Sequence, residues 1–199
     1  MKIGLLGGTF DPIHIGHLII AEEVRLCLKL DHVFFIPAGQ PWLKGNSVIS
    51  EARHRVTMTS LAIASNSYFK LSTVEIDHPG PSYTVNTIKT LQTQFNSAAR
   101  LFLILGWDSL NELPLWKEPD KVVSICQLAV VPRLNYPKPD LKSLDKTISG
   151  IASNTLMLDI MTIDISSSEI RRRVAEGVSI RYLVPQEVEK YIAKNRLYR

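Results

Sequence analysis

The sequence predicts an α/β protein, a doubly wound parallel sheet covered by helices on both faces, on three observations. Strand-like and helix-like segments alternate along the chain. The strand-like segments, among them "KIGLL", "HVFFIPA", "RLFLILG" and "QLAVVP", are continuous apolar runs, as strands buried on both faces should be. Capping residues, glycines and prolines punctuate the alternation.

In order, "KIGLL" is a short buried strand, and "HLIIAEEVRLCLKL" has helical spacing, with Leu18, Ala21, Val24 and Leu28 on one side; this helix is expected to begin at about Gly16 or His17. "HVFFIPA" is the second strand. Ser50 can cap a helix through "EARHRVTMTSLAIAS", which leads to a strand "KLSTVEI". The turn "DHPGPS" precedes a helix through "YTVNTIKTLQTQF", then comes "RLFLILG". A short helix from "PDKVVSIC", with Pro119 in its first turn, leads to "QLAVVP" and a polar, proline-rich loop. "NTLMLDI" is the last strand, "SSSEIRRRVAEG" a helix stopped by Gly177, and "PQEVEKYIAKN" the final helix.

With 199 residues, 45% hydrophobic and 21% charged, the chain suits a single soluble domain with a substantial core, and disorder is excluded. The net charge of +4 is small; it suits an anionic small molecule or a weak nucleic-acid contact if the cations cluster, and a cluster stands at Arg171 to Arg173. Cys27 and Cys126 lie in apolar runs without metal-ligand spacing, so both are expected as reduced core residues. The opening "MKIGLLGGTF" is too weakly apolar for a signal peptide, and no run approaches ~18 apolar residues. A cytoplasmic protein with no membrane span is expected.

The chemistry concentrates in "GGTFDPIHIGHL", Gly7 to Leu18. In such a sheet the loop after the first strand lies at the carboxyl edge, where ligands bind. Gly7 and Gly8 would let the backbone turn tightly, and the amides opening the next helix favour an anion such as phosphate. The pattern is neither GxGxxG nor GxxxxGK[ST]. His14 and His17 can aim at one point, with Gly16 leaving room for a phosphate to approach the backbone. Asp11-Pro12 reads as structural, Pro setting the turn and Asp accepting from nearby amides. In the late helix, Ser166 to Ser168 can cap, while Arg171, Arg172 and Arg173 crowd the first two turns, where the helix dipole disfavours cations and a bound anion would relieve them. Arg171 shares a face with Ser167 and Ser168; Arg172 and Arg173 turn away as solvated charges.

"GTFDPIHIGH" resembles the signature of the HxGH nucleotidyltransferases. "IPAGQPWLK", "GPSYTVNT", "LGWDSLNELPLW" and "ISSSEIR", in the same order, narrow the resemblance to the bacterial nicotinate mononucleotide adenylyltransferases. The resemblance implies a Rossmann-like nucleotidyltransferase fold over residues 1–199, with 164–199 a small helical part carrying "SSSEIR". It implies adenylyl transfer from ATP to nicotinate mononucleotide in NAD biosynthesis, with Mg2+ held mainly by the ATP phosphates. No nucleic acid or membrane is expected as partner, and a homo-oligomer is left open.

The implied catalytic residues are His14, His17, Lys44 and Arg171. ATP is expected at Gly7, Gly8, Thr9, Phe10, Gly106, Asp108, Ile165, Ser167, Ser168 and Arg171; nicotinate mononucleotide at Lys44, Tyr83, Thr84 and Trp116; no residue is expected to be a dedicated metal ligand. Trp107 beside the adenine and Arg133 toward the nucleotide are further candidates, and a core role competes for both tryptophans. Trp42-Leu43-Lys44 stands where relatives often have Pro-His-Lys, His78-Pro79 where an Arg is common, and Asn86 where Asp is frequent. The attacking group is already a phosphate anion, so the task is to hold and align two anions and stabilise developing charge, for which donors and cations suffice. The alternatives are another HxGH enzyme, accepting nicotinamide mononucleotide or phosphopantetheine, and a non-catalytic nucleotide sensor.

Overall fold

The structure, a computed structural model, describes residues 1–40, 49–78, 80–95 and 99–199. Six parallel strands form one sheet in the order β3-β2-β1-β4-β5-β6. They are β1 (Lys2–Gly8), β2 (His32–Pro37), β3 (Phe69–Leu71), β4 (Arg100–Gly106), β5 (Gln127–Val131) and β6 (Thr155–Met157). The helices are α1 (Ile15–Leu28), α2 (Ala52–Ile63), α3 (Thr84–Gln94), α4 (Trp107–Glu112), α5 (Pro119–Ile125), α6 (Leu141–Asp145), α7 (Ile151–Asn154), α8 (Ser167–Ala175) and α9 (Gln186–Lys194). The strand order reverses between β1 and β4, which makes their carboxyl ends the switch point of a doubly wound sheet.

The pleat divides the apolar strands between two cores, which is why they read as unbroken runs. Phe102 and Ile104 of β4 join Leu6, Val33, Phe35, Ala129 and Val131 under α1, α2, α8 and α9. Leu101, Leu103 and Leu105 point the other way and join Ile3, Leu5, Ile36, Leu128 and Val130 under α3, α4 and α5.

Several elements differ from the sequence reading. The expected strand "KLSTVEI" pairs only over Phe69–Leu71. Beyond it the Ile76 and Asp77 amides bond back to the Thr73 carbonyl and the Thr73 hydroxyl to Asp77, so a local turn replaces pairing at this sheet edge. Glu51, not Ser50, is the N-cap of α2; the Ser50 amide donates to Asp11 and its carbonyl accepts from Arg55. The segment directly after β4, Trp107–Glu112, is a short helix for which the sequence reading names no element. Cys126 is buried, and burial pushes its thiol up to about 12, but Cys27 is exposed. The apolar run around Cys27 is wider than the buried side of α1, where Gly16, Ala21 and Val24 are the buried residues. Among the described residues no helix is long and apolar enough to cross a membrane.

Candidate active site

The first motif forms the floor of the switch point. Gly7 and Gly8 are not turn residues: both belong to β1, paired with Ile36 and Pro37. The turn comes at Phe10, whose φ is +50°. A Cβ on Gly8 would press on the Phe10 ring at 2.9 Å, while Gly7 is exposed with open space above it. Glycine therefore serves here by lacking a side chain: at Gly8 it admits the Phe10 ring, and at Gly7 it leaves the strand end bare. Phe10 is buried, with its ring edge-on to His17 (centroids 5.1 Å).

His14 is the N-cap of α1 and His17 its third residue. The two rings stack with centroids 3.6 Å apart. The His14 amide donates to His17 Nδ1 at 3.2 Å, so the ring proton of a neutral His17 sits on Nε2. Gly16 does not open a path to the backbone as expected. The volume its Cβ would take borders the His14 ring (Nδ1 at 3.1 Å) and the Ile163 carbonyl (3.6 Å), so Gly16 makes room for His14 itself.

His14 is 3% exposed, and its Nδ1 is buried without a hydrogen-bond partner among the described residues. Burial, and then the charge of Arg133, lower its pKa to about 4. The ring is thus neutral at pH 7 in this arrangement, a hydrogen-bonding group rather than a second cation. An anion placed against it would favour the imidazolium.

This shift sets a pH dependence. Between pH 6.5 and 4 the unfolded chain binds a proton that the folded protein does not, so stability is fully present above 6.5 and falls on acidification, by about 3 kcal/mol over the window. Urea unfolding of His14→Asn from pH 7 to 4 is expected to show that slope flattened. An unchanged slope would show that His14 is not its source. The Glu169 carboxyl, which Arg172 and Arg173 hold down at about 2, loses its contribution mostly below that window, from pH 4.5 to 2.

Helix α8 meets the first loop directly. Ser166 caps it, its hydroxyl accepting from the Glu169 amide. Ser167 Oγ donates to the Pro12 carbonyl (2.9 Å). Arg171 donates through Nη1 to the Asp11 carbonyl (2.6 Å) and through Nη2 to Ser168 Oγ (3.2 Å). Ile165, just before the cap, packs on the first core. The helix has nine residues, so Arg172 and Arg173 occupy its last turn, where the dipole favours cations. The conflict inferred from sequence is absent; these arginines pair with Glu169, and Arg172 also with Glu176.

Across the switch point, Gly106 is the N-cap of α4, and Asp108 in the first turn folds back over it. Arg133 Nε lies 3.9 Å from Asp108 Oδ2, and the field of Arg133 reaches His14. Trp107 and Trp116 are half-buried against the second core, each with its indole N–H buried and without a partner among the described residues. Tyr83 is the N-cap of α3 and Thr84 its first residue, with the Lys117 ammonium 4.4 Å above the Tyr83 ring. Lys44, with Trp42 and Leu43, lies outside the described residues. His78 bonds the Val74 carbonyl, and Asn86 is exposed on α3.

Several residues that bind these pieces together were not picked out from sequence. Arg55 of α2, 2% exposed, donates to the carbonyls of Ser50 (2.9 Å), Thr9 (2.9 Å) and Gly39 (3.4 Å), three separate segments around the site. Ser82 accepts from the Gly39 and Gln40 amides, and Thr87 donates to Glu75 at 2.7 Å. Burial pushes the Glu75 carboxyl up against those hydrogen bonds. A Cβ on Gly39 would collide with the Glu75 carbonyl, so this approach requires glycine. Much of "GPSYTVNT" thus fastens the loop after β2 to α3. The signal for Arg55 was present: Arg55, Met58, Thr59, Ala62 and Ile63 follow the helical stripe, which places an arginine on the inward face.

The histidines of the β1–α1 loop and the α8 donors are joined by hydrogen bonds, while Tyr83 at the α3 N-terminus and both tryptophans pack against the second core. Among the described residues no three His, Cys, Asp or Glu side chains converge on a metal position. The donors present fit phosphates, which can bring their own cation.

The Cytidylyltransferase-like family profile matches residues 5–173. A relative from Dehalococcoides mccartyi (strain ATCC BAA-2266 / KCTC 15142 / 195), named "Probable nicotinate-nucleotide adenylyltransferase", is 43% identical over 198 residues, covering 100% of this chain and 97% of its own. One of the same name from Roseiflexus sp. (strain RS-1) is 44% identical over 197 residues, covering 99% and 98%. Among solved structures, Plasmodium falciparum nicotinic acid mononucleotide adenylyltransferase complexed with NaAD superposes with a TM-score of 0.80 at 20% identity, over 99% of this chain and 97% of that one. The fold shared with that structure, and full-length identity above 40% to two bacterial relatives, place the chain in the Cytidylyltransferase-like family and, within it, among the nicotinate-nucleotide adenylyltransferases.

Proposed function

We propose that the protein works in the cytoplasm in NAD biosynthesis, transferring the adenylyl group of ATP to nicotinate mononucleotide, with nicotinate adenine dinucleotide and pyrophosphate as products. The observation that carries this reading is the meeting of two phosphate-suited elements: the stacked His14 and His17 of the β1–α1 loop, and the Ser167/Arg171 end of α8 hydrogen-bonded to that same loop.

An oxygen of the acceptor's 5′-phosphate attacks the α-phosphorus of ATP. A new P–O bond forms as the bond to the α,β-bridging oxygen breaks, and pyrophosphate leaves with its electrons. No proton need be removed from the nucleophile. His17 donates from Nε2, and negative charge gathering beside His14, neutral beforehand, raises that ring's affinity for a proton from solvent. Arg171, with Ser167 and Ser168, takes the departing phosphates, and Thr9 and the bare end of β1 at Gly7 and Gly8 border the α-phosphate. Gly106 and Asp108 flank the adenosine, with Ile165 at the opposite wall.

On the acceptor side, the first amides of α3 at Tyr83 and Thr84 suit the nicotinate carboxylate, and Trp116 offers a face to the pyridine ring. Lys44 belongs to this reading as the cation for the acceptor phosphate. Mg2+ would be held mainly by the ATP phosphates and would supply neutralisation of their charge.

The test offers the protein ATP and Mg2+ with nicotinate mononucleotide, nicotinamide mononucleotide or phosphopantetheine and follows pyrophosphate. The expected result is release with the nicotinate form in preference to the other two. Release with phosphopantetheine alone, or with none, would overturn the assignment, and a preference for the amide would move the acceptor.

A further inference from the structure

The loop that carries the histidines is held from the far end of the chain. Tyr198 donates its hydroxyl to Asp11 Oδ1 at 2.7 Å, across 187 residues of sequence. The other carboxylate oxygen, Oδ2, accepts from the Ser50 amide at 3.1 Å, and Asp11 is 3% exposed. Its main-chain carbonyl is the acceptor for Arg171. One residue therefore receives three donors from three distant segments. Leu197 and Tyr198 pack on the first core, which includes Met58 of α2 and Val188 of α9, and the Tyr198 hydroxyl lies 3.9 Å from Met58 Sδ.

A buried carboxylate with few donors is costly to keep charged, and each donor lost leaves its oxygen poorly solvated. Burial and the Asp11 carboxylate both push the Tyr198 hydroxyl up, so it remains a proton donor throughout the working range. The connection to Arg171 runs through main chain: a shift of Asp11 carries its carbonyl, and the guanidinium bound there, along with it.

We propose that the Tyr198 hydroxyl is a positioning group for the ATP side of the site, holding Asp11 so that its carbonyl fixes the Arg171 guanidinium against the histidine loop. The inference rests on the adenylyl-transfer reading for its consequence in turnover, but its consequence for ATP binding does not.

Tyr198→Phe keeps the ring that packs and removes only the hydroxyl. The expected result is a kcat/KM for ATP about tenfold lower, on the scale of one lost hydrogen bond to a charged group, with KM for the pyridine nucleotide within about twofold of the parent. The Kd of α,β-methylene-ATP, measured by calorimetry, is expected to weaken about tenfold whether or not the parent turns over. Asp11→Ala combined with Tyr198→Phe is expected to bind the analogue no worse than Asp11→Ala alone, because the hydroxyl acts through that carboxylate.

A purely structural tyrosine would lower the melting temperature and leave these ATP parameters within twofold; that outcome overturns the proposal. Losses that multiply in the double variant, or a parent that does not bind the analogue, also overturn it. A parent that binds the analogue but releases no pyrophosphate overturns the proposed function instead, and the Kd comparison still decides the role of Tyr198.

Discussion

Replacing His17 with alanine is expected to lower kcat by about 10²-fold or more, the scale of removing one preorganised donor to a transition state. The imidazole is fixed on three sides: stacked on His14, edge-on to Phe10, and accepting the His14 amide at Nδ1. That last bond leaves the proton on Nε2 before substrate arrives, so no reorganisation is needed as charge develops. Alanine removes the donor and the pin on the His14 amide together. Single-turnover rates on His17→Ala, with circular dichroism and a melting curve as controls, separate the two losses. Unfolding should change modestly, because the position is only half-buried. A rate within threefold of the parent would show that His17 shapes the loop without touching the reaction.

The second large effect is on stability. Arg55→Met is expected to cost about 3–5 kcal/mol in urea unfolding, since it strips a buried charge from its partners and leaves three carbonyls around the site short of a donor. Burial works against the charge, and Asp11, first among the opposing groups, favours it. Arg55→Lys tests the geometry separately. It keeps one positive charge but cannot span Ser50, Thr9 and Gly39 at once, and should recover less than half of the loss. Should Arg55→Met fail to fold, the lysine variant still measures the contribution of the fork. A cost below about 1 kcal/mol for Arg55→Met would mean that water or backbone movement replaces its bonds.

Much of this was legible in local pattern. Unbroken apolar runs announced the four central strands, buried on both faces, while the more polar "KLSTVEI" and "NTLMLDI" became the short edge strands β3 and β6. Spacing put Arg171 on a face with Ser168, and the two are hydrogen-bonded. Inferences that required electrostatic partners or a backbone angle went astray. The dipole conflict read for the α8 arginines is absent because Arg172 and Arg173 sit in the last turn and pair with Glu169, and the glycines read as a turn belong to β1, the turn falling at a left-handed Phe10.

The sequence by itself determined the doubly wound class and the family and nominated residues to meet phosphates, because periodicity and contiguous motifs are local properties of the chain. Only the tertiary structure decided which of those residues face one another and what holds them. The link from Tyr198 to Asp11, the three-way grip of Arg55 and the burial that keeps His14 neutral all join residues far apart in sequence. The physical reason is that hydrogen bonding and desolvation depend on where groups lie in space, and no spacing rule along one strand or helix encodes a partner on another.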